Sequence, residues 1–250
     1  MAEILAAHSL RKVFQAGGEN IGALVGVDLH IDPGEFVVIL GPSGSGKSTL
    51  LHLLGGLDSP TEGSVTLDGV ELFGLGDRDL TRVRRDKTGF VFQFFNLLPA
   101  LNVYENIALP FFLGGQRPRA EQIERVEDML QLFSLKAVQN RPVTDLSAGE
   151  QQRTALARAF VTEPSVVLAD EPTGSLDVRT GTEILQLLWE SCDNLKQTIL
   201  VVTHDPKVAA FGDRVLFIRD GEMVDELVLG RREDHSDTGA ITSRLEELSL

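Results

Sequence analysis

Apolar residues along the chain recur in two rhythms. One is the two-residue alternation or short unbroken run of a strand. Leu24, Val25, Val27, Leu29 and Ile31 set the first such segment, over 24–31. After the turn Asp32-Pro33-Gly34 the run 35–40 sets the second. Residues 64–67, 88–92, 165–169, 198–202 and 214–218 are further strand-length runs. The other rhythm is the three-to-four spacing of amphipathic helices. It predicts helices over 47–54, 120–133 (Ile123, Val126, Met129, Leu130, Phe133), 150–161, 179–195 (Ile184, Leu185, Leu187, Leu188) and 206–211. Strands that alternate with helices predict a parallel α/β sheet. The stretch 97–162 is dominated by the helical rhythm and reads as an insertion into that sheet. No internal repeat is present. Beyond residue 230 the chain turns polar, so 231–250 is expected to be a tail. Within it 231–237 is expected to be mobile, and Leu245, Leu248 and Leu250 to fray.

Charge and composition narrow the classes. The 250 residues carry 23 basic and 37 acidic side chains, a net charge of −14. Such a surface repels phosphate backbones and argues against a general nucleic-acid binder. A single cysteine, Cys192, forms no internal disulfide, and the five histidines show no metal-ligand spacing. No apolar run reaches the roughly 20 residues that span a bilayer, and the N-terminus shows no signal-peptide pattern. The expectation is a globular protein of the cytoplasm.

Chemistry is concentrated in three places. Gly41-Pro42-Ser43-Gly44-Ser45-Gly46-Lys47-Ser48 fits the phosphate-loop pattern G-x-x-x-x-G-K-[ST], between a predicted strand and a predicted helix. Its glycines let backbone N–H groups converge on phosphate oxygens, and the helix N-terminus adds positive potential. Lys47 suits the β- and γ-phosphates, and Ser48 suits Mg²⁺. Thr49 completes the candidate loop contacts. The second place is the apolar run Val166-Val167-Leu168-Ala169, which ends in Asp170-Glu171. Behind a phosphate loop, the first carboxylate is a Mg²⁺ ligand and the second a general base for the attacking water. The third is Leu146-Ser147-Ala148-Gly149-Glu150-Gln151-Gln152-Arg153, small residues opening a helix and hence a second anion-binding surface.

That third segment resembles the LSGGQ signature of ATP-binding-cassette (ABC) proteins, with Ala148 for the first glycine and Glu150 for glutamine. The rest of the series follows in order. Gln93 resembles the Q-loop glutamine, a candidate for Mg²⁺ and for catalysis. Gly174-Ser175-Leu176-Asp177 resembles the D-loop, His204 the switch histidine, and Phe14 the aromatic that stacks on adenine. The resemblance covers about residues 3–228. It implies a P-loop NTPase fold: a RecA-like α/β core, an N-terminal antiparallel β subdomain and an inserted α-helical subdomain. It implies ATP and Mg²⁺ as cofactors and a head-to-tail dimer. Ser147, Gly149 and Asp177 of one copy would complete the site built from Phe14, Lys47, Ser48, Gln93, Asp170, Glu171 and His204 of the other. Segments 84–99, 105–110 and 169–177 are similar to ATPases of lipoprotein-releasing and macrolide-export systems. Phe94 departs from the polar residue usual after the Q-loop glutamine. The resemblance therefore implies an integral membrane permease as partner and a peripheral place on the inner membrane face. Two alternatives are a cell-division-type ABC regulator and a soluble ABC protein of DNA repair or translation. The single cassette and the net charge count against the latter.

Overall fold

The computed structural model describes residues 3–17, 19–113, 118–230 and 237–249. Strands β1 (Leu5–Ala16), β2 (Glu19–Ile31), β4 (Glu62–Leu67) and β5 (Val70–Glu71) form an antiparallel sheet in the order β2-β1-β4-β5. Strands β3 (Phe36–Leu40), β6 (Thr88–Val91), β7 (Val166–Asp170), β8 (Thr198–Thr203), β9 (Arg214–Arg219) and β10 (Glu222–Val228) form a second sheet, ordered β10-β9-β3-β8-β7-β6. Its pairings are parallel except for β10 against β9. This is the expected pair of an antiparallel β portion and a parallel α/β core.

Alternation along the parallel strands divides the interior in two. Val37, Ile39, Val166, Leu168, Leu200 and Val202 pack with the antiparallel sheet and helix α1 (Lys47–Leu54). Val38, Leu40, Val167, Ala169, Ile199 and Val201 face the opposite way, toward the helices that follow β6. A strand buried on both faces has no polar side to show, which is why β3 and β8 read as unbroken apolar runs. Burying each such Val, Leu or Ile contributes about 1.5–3 kcal/mol relative to leaving it in water.

Between β6 and β7 lie α3 (Val103–Phe112), α4 (Ala120–Leu132) and α5 (Ala148–Phe160), and β7 leads into α6 (Val178–Asn194). Asn102 and Ser147 close the N-termini of α3 and α5 with capping boxes to Glu105 and Glu150. Helix α2 (Asp77–Lys87) buries no residue; the basic cluster 82–87 is its solvated C-terminal end.

The C-terminal expectation needs correction. A short helix α7 (Pro206–Ala209) follows β8, and residues Thr238–Leu248 form helix α8, packed against it. Ile241 is fully buried in the helical-side core, and Leu245 and Leu248 pack on that core instead of fraying. Arg244 bridges Asp225 of β10 and Glu247, and Arg219 donates to the Leu248 carbonyl at 2.6 Å. One deeply buried apolar side chain flanked by ion pairs anchors the helix, too sparse a pattern to show as periodicity. Residues 231–236 and Leu250, also expected to be mobile or frayed, lie outside the described residues.

Candidate nucleotide site

The phosphate loop joins β3 to α1. Gly46 sits at φ 99°, a left-handed conformation, and a Cβ there would lie 2.5 Å from the Ala23 carbonyl. The glycine is therefore required twice, by conformation and by space. No side chain caps α1, and its first turn carries no acidic residue. The N–H groups of that turn are thus left for an anion. Lys47 is 7% exposed, and its Nζ donates to the carbonyls of Gly41 (2.8 Å) and Pro42 (2.7 Å). Burial lowers the Lys47 pKa, while Glu171 and Asp170 pull it back up. Ser45 Oγ is buried without a hydrogen-bond partner. An uncapped helix, a buried ammonium and an orphaned hydroxyl in one loop fit a polyphosphate.

Behind the loop, Ser48 Oγ donates to Asp170 Oδ1 at 3.0 Å. Burial raises the Asp170 pKa, opposed by the Ser48 hydroxyl, His52 and Lys47. Among the described residues no group of three or more His, Cys, Asp or Glu is arranged to hold a metal. Mg²⁺ does not require one, since it is commonly held by one or two carboxylates together with substrate phosphates and water. Ser48 and Asp170 fit that mode.

Glu171 adopts φ 45°, unusual for a non-glycine residue. Its backbone N–H bonds the Val202 carbonyl, so the β7–β8 pairing fixes the turn. Its Oε1 lies 2.6 Å from His204 Nδ1 and its Oε2 accepts from Thr203 Oγ1 at 2.9 Å. The structure thus joins Glu171 and His204 directly.

Gln93 follows β6. Ser175 Oγ donates to its carbonyl at 3.0 Å, and a Cβ on Gly174 would lie 3.1 Å from its Nε2. Gln93 therefore adjoins the turn leaving Glu171. After it, Phe95 and Asn96 take two consecutive left-handed conformations. Their carbonyls accept from Arg158 of α5 at 3.0 and 2.7 Å, and burial lowers the pKa of that guanidinium.

Three expected contributors stand apart. Ser147 and Gly149 open α5, and Asp177 caps α6 through Thr180. A Cβ on Gly149 would meet Thr180 Cγ2 at 2.7 Å, so these two helix ends touch each other. Among the described residues no hydrogen bond joins Ser147, Gly149 or Asp177 to the phosphate loop. Phe14, on β1, is 41% exposed.

Sequence reasoning missed Thr203, Arg158 and Gln152, whose Nε2 donates to the Pro172 carbonyl at 2.6 Å. For Arg158 and Gln152 the available signal was a charged or amide side chain on the inner face of α5. For Thr203 it was only its place at the end of β8, next to His204.

Comparison with known proteins fixes the class. Residues 24–174 match the ABC transporter family. The chain is 47% identical over 221 residues to the ABC transporter ATP-binding protein MJ0796 of Methanocaldococcus jannaschii, covering 87% of this chain and 94% of that protein. It is 43% identical over 221 residues to the lipoprotein-releasing system ATP-binding protein LolD of Pseudomonas fluorescens, covering 88% and 97%. A dimeric structure of MJ0796 in a post-hydrolysis state bound to ADP and Pi superposes with a TM-score of 0.82 at 44% identity, over 90% of this chain and 98% of that one. The chain belongs to the ABC transporter family. It is an ABC ATPase, the ATP-binding subunit type of such systems.

Proposed function

We propose that two copies of this chain close head to tail over two ATP molecules and drive a membrane permease of the lipoprotein-releasing and macrolide-export kind. Lys47, the α1 N-terminus and Ser45 hold the phosphates, and Phe14 stacks on the base. Ser48, Asp170 and Gln93 hold Mg²⁺, which supplies charge neutralisation at the phosphates. Glu171 takes a proton from the attacking water. Thr203 and His204 hold its carboxylate, and His204 exchanges this bond for the γ-phosphate on closure. Ser147, Gly149 and Asp177 come from the partner copy. The MJ0796 dimers and the naming of the LolD relatives support the dimer and the transport role.

Continuity between the site and an apolar groove carries the permease reading. The turn held by Arg158 forms one wall of a groove of about 370 Å³ lined by Phe90, Phe92, Leu109, Pro110 and Leu113. Leu113 is 69% exposed, and Phe94 beside Gln93 is 75% exposed. Among the described residues no helix is long and apolar enough to cross a membrane. A short cytoplasmic helix of the permease would fill the groove and feel Gln93 move. The seven apolar side chains Phe94, Phe95, Leu97, Leu98, Leu101, Phe111 and Phe112, more than a small helical insertion needs for its core, would be expected to line such a groove, but none of them does. Leu97 and Phe111 pack on the core instead. Leu113→Glu is expected to abolish co-purification with the permease and leave thermal unfolding unchanged. Retained complex formation would remove the groove from the interface.

A further inference from the structure

The outer end of β1 is fastened to the segment that leaves α1. Thr61 N–H donates to the Arg11 carbonyl at 2.8 Å, and Val13 N–H donates to Thr61 Oγ1 at 3.0 Å. Between these, Lys12 reaches back. Its Nζ donates to the Ser59 carbonyl at 2.7 Å and pairs with an Asp58 carboxylate oxygen at 2.7 Å. The Lys12 side chain is only 13% exposed. The same ammonium lies over the Phe14 ring, 4.9 Å from its centroid. Strand residues two apart share a face, so Lys12 and Phe14 are neighbours by geometry. Burial pushes the Asp58 carboxyl up, but Lys12, the Ser59 amide and His52 more than offset it and hold it below its ordinary value. The anchor of the ammonium is therefore charged at neutral pH.

We infer that Lys12 is a positioning residue for nucleotide recognition: held by Asp58 and Ser59, it clamps one face of Phe14 and presents the other face to the base. This rests on the proposed stacking role of Phe14. A ring has two faces, and an exposed phenylalanine alone on a strand end is free to change rotamer. A cation fixed over one face restrains it and withdraws electron density from the other, which favours an electron-rich purine. Because Asp58 and Ser59 continue from α1, the clamp also ties the base platform to the helix whose N-terminus receives the phosphates. Base and phosphate sites are thereby held at one separation, without loss of freedom on binding.

Titration calorimetry of the full chain with MgADP and with magnesium pyrophosphate separates the base from the phosphates, with no turnover to confuse it. Lys12→Met keeps the stem and removes the charge. It is expected to weaken MgADP by about threefold to tenfold, the scale of one cation–π contact, and to leave pyrophosphate unchanged. Asp58→Asn is expected to act in the same direction, and Lys12→Arg to restore affinity. In a Phe14→Ala background, Lys12→Met is expected to add nothing. Unchanged or tighter MgADP binding in Lys12→Met, or an equal loss for pyrophosphate, would overturn the clamp while leaving Phe14 in place. A Phe14→Ala chain that keeps the full preference for ADP over pyrophosphate would overturn the stacking role and the clamp together.

Discussion

The N-terminal ends of α1 and α5, the two helix ends that the proposed function assigns to phosphate, are built in opposite ways. At the start of α1 no side chain caps the helix, and a buried lysine and an unpartnered serine hydroxyl sit in the loop before it. At the start of α5 the corresponding groups are already satisfied. Ser147 N–H and Oγ both donate to Glu150 Oε2 at 2.8 Å, and Glu150 N–H donates back to Ser147 Oγ at 3.3 Å. The first end is prepared for a phosphate. The second carries its own anion, a carboxylate that answers the helix dipole from within the chain. The difference teaches where binding and closure separate. On the proposed function, one copy of the chain would hold nucleotide by its first end alone, whereas closure over a partner's nucleotide would have to compete with Glu150.

Glu171→Gln tests that separation with the largest effect. The substitution keeps the shape of the side chain and removes its basicity, so ATP turnover is expected to fall about 10²–10⁴-fold. Binding contacts at Lys47 and Ser48 remain, and the trapped ATP is expected to hold two copies together as an ATP-dependent dimer in size exclusion. A monomer at saturating ATP would mean that the α5 end does not close on its own, and that the permease must supply what Glu150 opposes. Wild-type turnover in the variant would remove Glu171 from the mechanism.

Lys47→Ala attacks the other end. Loss of one preorganised charge at a phosphoryl site costs on the order of 10²–10³ in turnover. Burial makes this lysine costly when no phosphate is present, so the variant is expected to bind ATP poorly yet unfold at the same or a higher temperature. Undiminished Mg²⁺-dependent turnover would show that the loop contacts of Lys47 are structural only.

The same contrast explains what was legible in the sequence. The phosphate loop, β3, β7 and β8 were readable because glycine spacing and unbroken apolar runs admit few alternatives. Helix α1 was placed at Lys47–Leu54 for the same reason. Helix α2 escapes the pattern because only Leu80 and Val83 of its eleven residues are apolar; they pack on the core but are too few to mark a periodicity. In α3, Pro110 lies inside the last turn and Asn106 is buried, bonding the carbonyls of Leu98, Leu101 and Asn102, so propensity and tertiary packing disagree. Strand β10 runs exposed or half-buried along its whole length and gave no apolar alternation. At the site, the order of motifs named Gln93, Asp170, Glu171 and His204. The bonds from Thr203 to Glu171 and from Arg158 to the turn after Gln93 join residues 32 to 63 positions apart, which no local pattern carries.

The smallest effect is the one that addresses the α5 end itself. Its Ser147 hydrogen bonds hold the Glu150 carboxyl below its usual range, with Arg153 and Arg141 adding to this against slight burial. Glu150 is therefore ionised at neutral pH, close to where the proposed dimer brings a second copy's γ-phosphate. Glu150→Gln removes the charge and keeps the capping box, because glutamine serves at that position equally. Folding stability at neutral pH should change little. Charges at a helix N-terminus are worth about 0.3–1 kcal/mol at low salt, so in the Glu171→Gln background the ATP-bound dimer should tighten about twofold to fivefold per site. Raising salt to 1 M should erase the difference, since screening then acts within about 3 Å. Lowering the pH should erase it too, but only as pH falls through the depressed Glu150 value, where the protonated acid becomes equivalent to the amide. Sedimentation of the two chains across ATP and salt concentrations measures this. Equal dimerisation at low salt and neutral pH would mean that Glu150 turns away from the phosphate on closure, and that the two helix ends differ in the open state alone.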